Sequence, residues 1–313
     1  MRAALEAITE ELRRLKTAGV KTVAVSDESI AALRRVIAFH GEGDSSPFET
    51  PPREERHARM PEEAKKMSSD HVSVSDVDTR KTAQSRAVIP TIGPVVVLPE
   101  GDKAARWAAL RDVVLNDPVC RAHVRPGKKV VFGVGSLDAQ IMFVGEAPGA
   151  DEEIQGEPFV GPAGQLLTKM ILAMGLKRED VYIGNIMNWR PEVPTSPGAT
   201  QVGNRPPTEE EMRYCIPYLR GQIEIVKPAL LVALGKTAAE GLLGFGTFKA
   251  LADVRGRWHE FAGTPLMVTY HPSYILREPT NRKKRLIWED LLKTMERAAL
   301  PISERQRGFF LDK

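Results

Sequence analysis

From about residue 100 onward, short apolar runs alternate with segments whose apolar positions recur every three to four residues. Ala139–Gly145, Val181–Ile186, Ala229–Leu234 and Leu266–Tyr270 are brief and largely apolar, the pattern of strands buried on both faces. Pro162–Met174 places Leu166, Met170 and Met174 on one helical stripe and stops at Gly175, a residue suited to a helix C-terminus. Thr208–Val226 opens with Thr208 and Glu211 at capping-box spacing, and Met212, Ile216, Leu219, Ile223 and Val226 then form its core face. Arg285–Ala298 closes the series with Ile287, Leu291 and Met295 inward. Strands alternating with helices predict a parallel sheet covered on both sides. The expected fold is a three-layer α/β/α sandwich with a central four-stranded, mainly parallel sheet over residues 100–300, followed by a C-terminal tail, 301–313.

The first hundred residues read differently. Ala3–Thr17 carries Leu5, Ile8, Leu12 and Leu15 on one face, and a second helix is predicted from the N-cap Ser26 through Ile30, Leu33 and Val36. Residues 1–39 therefore form a helical N-terminal extension, either a hairpin that docks a protein partner or a weakly structured arm. Residues 41–86 turn to Gly, Ser, Pro and charge with Phe48 as the sole aromatic. Such a stretch cannot offset the entropy of ordering, so 40–95 is expected to be a disordered linker.

Composition narrows the function classes. The 313 residues are 42% hydrophobic and 27% charged, as in ordinary globular proteins. No apolar run reaches the length of a membrane span and no signal-peptide core opens the chain, so a membrane role is not expected. Two cysteines exclude a disulfide scaffold, and reduced thiols in a bacterial-type cytoplasm are the simplest reading. The first hundred residues hold 15 Lys and Arg against 16 Asp and Glu; the remainder holds 29 against 25. The basic excess is slight, so nucleic acid as a partner requires a local patch.

In open α/β sheets ligands bind beyond the carboxyl ends of the strands. After the first strand comes Gly145-Glu146-Ala147-Pro148-Gly149-Ala150-Asp151-Glu152-Glu153, then Gly156-Glu157-Pro158-Phe159-Val160-Gly161. Asn185, Trp189, Arg190 and Pro191 follow the second, and His271-Pro272-Ser273-Tyr274-Ile275-Leu276-Arg277 the fourth. Carboxylates, an amide, an aromatic ring and an imidazole thus converge on one edge. Gly235-Lys236-Thr237 ends like a phosphate-binding loop, but Leu230 occupies the place of its upstream glycine, and a nucleotidase is dismissed. Arg190–Pro207 is read as a long loop, beside a DNA groove or simply solvated.

These motifs, GEAPGADEE with PFVG, VYIGN, the Arg-Pro that follows, ALG in LVALGKT and YHPSYILR, resemble those of the iron–sulfur (family 4) uracil-DNA glycosylases over roughly residues 112–298. The resemblance implies base excision repair: hydrolysis of the bond between uracil and deoxyribose in DNA, after the base has been flipped into a pocket. It makes Phe159 the stacking platform, unless that ring is simply core. Asn185 becomes the amide that meets uracil N3–H and O4, with turn former as its alternative, and His271 the group facing O2. Gly145, Ala147, Pro148 and Gly149 complete the substrate loop. Glu146 takes the larger catalytic role, acting on water or the sugar cation. Glu152 shapes the pocket, while Glu153 is read as part of a solvated acidic turn.

Ser273, Tyr274, Leu276, Arg277, Lys283 and Lys284 are expected to touch DNA, the cationic groups on phosphates and Leu276 or Tyr274 as a wedge. For the run Arg282–Arg285 a solvated first helical turn is the open alternative.

The chain departs from the resemblance at the cluster. The four cysteine positions are occupied by Cys120, His123, Trp189 and Cys215. Cluster ligation needs thiolates, so an intact [4Fe-4S] cluster is not expected, and neither is any other metal. The expected protein is a monomeric, cofactor-free uracil-DNA glycosylase. Its rivals are a catalytically weak or inactive DNA-binding member and a partner-recruiting protein using residues 1–39.

Overall fold

The computed structural model describes residues 89–195 and 201–311. The helices predicted in residues 1–39 and most of the predicted linker lie outside the described residues. Residues 89–98 run along the body, where Ile89, Val96 and Leu98 pack on the core.

Two side-chain caps set the first helices. Asp102 accepts from the Ala105 N–H at 2.8 Å and starts α1 (Lys103–Asn116). Asp117 accepts from the Cys120 N–H at 2.7 Å and starts α2 (Pro118–His123). The short β1 (Val134–Gly135) then leads into β2 (Ile141–Gly145), α3 (Ala150–Gln155) and α4 (Pro162–Ala173). A single 3-10 turn precedes β3 (Tyr182–Asn185). Beyond a long loop, Thr208 caps α5 (Glu209–Val226) in the expected capping box. The chain continues through β4 (Leu230–Leu234), α6 (Lys236–Leu243), α7 (Leu251–Val254), β5 (Trp258–Phe261) and β6 (Thr264–Thr269). It ends in α8 (Ser273–Arg277), α9 (Asn281–Arg297) and α10 (Glu304–Arg307).

The sheet runs β1-β3-β2-β4-β6-β5. Its four central strands are the four predicted apolar runs, and all pair in parallel. The antiparallel edges β1 and β5 widen the expected four strands to six. Neither edge carries an apolar run, because an edge strand has little to bury: Trp258–Phe261 has three of its four residues only partly covered or exposed.

Alternation along β2 divides the interior. Met142 and Val144 face one core with residues of α1, α5 and α6; Ile141 and Phe143 face the other with α4 and α9. Residues 301–311 dock on this second layer. The Gln306 amide donates to the Ala173 carbonyl at 2.9 Å, and Trp288 donates to the Gln306 carbonyl at 2.6 Å.

Asp117 also ties α2 to α5, since its carboxylate accepts from the hydroxyls of Tyr214 and Tyr218, both at 2.9 Å. Burial pushes this carboxyl up, but the Cys120 N–H and the two hydroxyls outweigh it and leave it below its ordinary value. Asp117→Ala is expected to cost about 1.5–3 kcal/mol in urea unfolding at neutral pH, the range for hydrogen bonds to a charged group. A lowered folded pKa gives stability that is present above the unfolded value and lost as pH falls through the folded one. The difference between wild type and variant should therefore shrink in acid.

Candidate active site

Consecutive strands leave β2 in opposite directions, β3 on one side and β4 on the other. Such a switch point opens a crevice beyond the strand ends. A cavity of about 510 Å³ lies there, lined by Glu146–Glu152, Phe159, Asn185, Thr237, His271 and Arg277 among others. The register brings Gly145 opposite Asn185.

Gly145 keeps the floor open. A Cβ there would stand 2.3 Å from Asn185 Oδ1 and 2.5 Å from the Phe159 ring. Phe159 holds a left-handed backbone (φ 54°), a strained state that persists only where the surroundings enforce it. Its carbonyl lies where a Cβ on Gly164 would be, 1.9 Å away. The ring belongs to the second core and also borders the cavity, 5.7 Å from the His271 ring. Platform and core aromatic are therefore compatible roles. Asn185 is 7% exposed, and its Oδ1 has no hydrogen-bond partner among the described residues.

The two neighbouring carboxylates of α3 do different work. Glu152 accepts from the N–H groups of Val160 and Gly161 at 3.0 Å each and from Gly149 at 3.1 Å. It ties the loop after β2 to the loop carrying Phe159. Glu153 corrects the solvated-turn expectation. It is 4% exposed and bridges Arg125 and Arg190, the latter at 2.9 Å. Arg190 in turn donates to Asn204 Oδ1 at 2.7 Å and to the Gly203 carbonyl at 2.6 Å. The loop after β3 is thus fastened over the site, and Pro191, Asn204, Arg205 and Pro206 line the cavity.

Glu146 also lines the cavity, together with the exposed Asp151. Burial raises Glu146 above the ordinary glutamate value, against a lowering hydrogen bond from Thr237 and with a further push from Glu240. His271 goes the other way: burial, with help from Arg277, lowers it to about 4. The Ser273 N–H donates to His271 Nδ1 at 3.2 Å. An Nδ1 that accepts leaves the single proton of the neutral ring on Nε2.

The DNA-contact candidates divide. Leu276 is 47% exposed and Arg277 reaches the cavity. Tyr274 is stacked on Tyr270 at 4.3 Å with Lys283 over its ring at 4.5 Å, and Lys283 pairs with Glu278. Lys284 sits 5.8 Å over Phe310. Arg285 donates to the carbonyls of Arg307 and Phe309 at 2.7 and 3.0 Å, which makes it a structural residue. Of the two proposed wedges, Leu276 is the one that stands clear. The residues missed from the sequence are Thr237 and Lys236 at the end of β4 and Arg205 and Asn204 in the long loop. The strand-end rule, applied to β4 as to the other strands, would have found the first pair.

Residues 132–292 match the model of the uracil DNA glycosylase superfamily. The chain belongs to that superfamily. It is 42% identical over 175 residues to the type-4 uracil-DNA glycosylase of Thermotoga maritima, covering 56% of this chain and 85% of the relative. The Archaeoglobus fulgidus type-4 enzyme is 40% identical over 184 residues, 56% of this chain and 87% of the relative. The type-5 uracil-DNA glycosylase of Pyrobaculum aerophilum is 33% identical over 181 residues, 53% and 73% respectively.

Against this family background the cluster positions stand apart. Trp189 is 1% exposed, stacked on His123 at 5.0 Å and 6.3 Å from Tyr214. Cys120 and Cys215 are buried and free. Hydrogen bonding to Cys215, with burial, pushes the Cys120 thiol far up. An indole with no lone-pair donor fills the space, and the donor set does not fit a four-thiolate cluster.

Gly145→Ala is expected to lower excision of uracil from an oligonucleotide by about 100-fold or more, since it misplaces both Asn185 and Phe159. A wild-type far-ultraviolet dichroism spectrum would show that the loss is local.

Proposed function

We propose that this protein hydrolyses the N-glycosidic bond of uracil in DNA, leaving an abasic site, and that Asn185, His271 and Glu146 carry the reaction without a metal. The observation that carries this reading is the buried Asn185 amide whose Oδ1 has no partner among the described residues, in a cavity bordered by an aromatic ring and an imidazole. Leaving a buried acceptor unmade costs about 1–3 kcal/mol, and uracil N3–H supplies the missing donor. The amide NH₂ then meets O4. Cytosine presents the reverse pattern and leaves both faces unpaired.

With uracil stacked on Phe159, the glycosidic electron pair withdraws into the base and the sugar gains cationic character. His271 donates from Nε2 to O2, where the negative charge gathers. It acts neutral, because its pKa of about 4 lies well below working pH. Glu146, raised by burial, is suited to take the proton of a water adding to the sugar carbon. Glu152 serves by holding the loops, its oxygens being committed to three backbone N–H groups. Arg277, Ser273 and the outer faces of Lys283 and Lys284 approach phosphates, Tyr274 supports Lys283, and Leu276 enters the gap left by the base. The protein acts as a monomer on DNA.

Asn185→Ala should abolish excision while changing anisotropy-measured affinity for DNA containing no uracil by less than about twofold. A parallel loss of general affinity would instead favour a DNA-binding role. His271→Ala should lower single-turnover excision by about 100- to 1000-fold, the loss typical of one oxyanion-type donor. In the pH profile, rate should fall in acid as Glu146 gains a proton, at a midpoint above the ordinary 4.5. There should be no break near 6.5, since His271 is already neutral there. Glu146→Gln should remove the acid limb, and His271→Gln should leave it.

A further inference from the structure

A second and larger cleft, about 810 Å³, lies between α1, α2 and the segment 124–134. Its walls carry Arg111, Arg121, Arg125, Lys128 and Lys129 against one acidic residue, Glu157. Arg125 is spoken for by Glu153, and Arg111 only grazes Asp112 at 3.9 Å. Arg121, exposed, and Lys128, half-buried, have no carboxylate within ion-pair distance among the described residues. The floor is aromatic: Trp107 and Phe132 meet edge to face at 5.6 Å. Trp107 is locked by donating to the Tyr182 hydroxyl at 2.9 Å. Concentrated positive charge beside a fixed aromatic surface is the make-up of a groove for nucleic-acid strands.

The position of the cleft is as telling as its charge. The short helix α3 borders the uracil cavity with Ala150–Glu152 and the cleft with Gln155, followed by Gly156 and Glu157. Six residues of helix span about 9 Å at about 1.5 Å each. Cleft and cavity are also one rigid assembly. The Lys129 N–H donates to the Glu153 carbonyl at 2.7 Å and the Val131 N–H to the Asn188 carbonyl at 2.8 Å.

We propose that this cleft is a second DNA contact, in which Arg121 and Lys128 hold backbone phosphates of the uracil-bearing strand on one flank of the flipped base. The proposal rests on the glycosylase reading above. It assigns strand-holding to a face remote from the helix α8–α9 cations, and so to one flank of the lesion. Holding that flank resists relaxation of the strand while the base is turned out.

The test uses the full chain with Arg121→Gln and Lys128→Gln combined, a pair outside the uracil cavity. Removing two phosphate contacts should raise KM for a long uracil oligonucleotide about tenfold and leave kcat unchanged. The slope of log affinity against log salt, read by anisotropy, should become shallower by about 1.8, at about 0.9 per phosphate. Trimming the oligonucleotide close to the uracil on one flank, and not on the other, should remove the difference between variant and wild type. Unchanged KM and salt slope would overturn the proposal, as would a loss confined to kcat. Anisotropy does not require turnover, so a wild type that binds DNA with the full slope yet excises nothing would sink the glycosylase reading alone.

Discussion

Two adjacent carboxylates, both nearly sealed from water, hold the carboxyl edge of this sheet together. Glu152 accepts three backbone N–H groups and so joins the loop after β2 to the loop that presents Phe159. Glu153 bridges Arg125 and Arg190, and Arg190 pins the loop after β3 through Asn204 and Gly203. A buried carboxylate is tolerated only when its charge is met by donors or cations. That requirement fixes five separate segments at once, and the cavity keeps its shape before any ligand arrives.

The site divides labour between groups that are satisfied within the protein and groups that are not. Glu152, Glu153 and Arg190 have their hydrogen bonds met and position others. Asn185 Oδ1 has no partner among the described residues, Glu146 is raised toward the range of a useful base, and His271 is held neutral with its proton directed by Ser273. Opposed shifts of a carboxyl and an imidazole in one pocket separate their roles.

Around Cys120, His123, Trp189 and Cys215 the interior is filled by the protein's own side chains. Trp189 stacks on His123 and neighbours Tyr214, whose hydroxyl reaches Asp117 along with that of Tyr218. A hydrophobic and hydrogen-bonded plug here joins α2, the loop after β3 and α5. Of these segments, α2 also borders the basic cleft, through Arg121.

The four buried strands were legible because parallel strands covered on both faces must be apolar throughout, and α5 because Thr208 and Glu211 announce its start. Asn185, His271, Phe159 and Glu146 were read as candidates because strand ends in such sheets carry function, and the fold brings them to one cavity. The edges β1 and β5 were not legible, since one is two residues long and the other buries only one of its four. Glu153 was misread because local sequence shows an acidic turn and cannot show that Arg125 and Arg190 arrive from 28 and 37 residues away. Thr237, Arg205 and the basic cleft share that cause. The sequence by itself determined the sheet, its helices and the residue types at the strand ends. Only the tertiary structure decided which charges are neutralised and which stay free, because that depends on partners brought together by folding rather than by order along the chain.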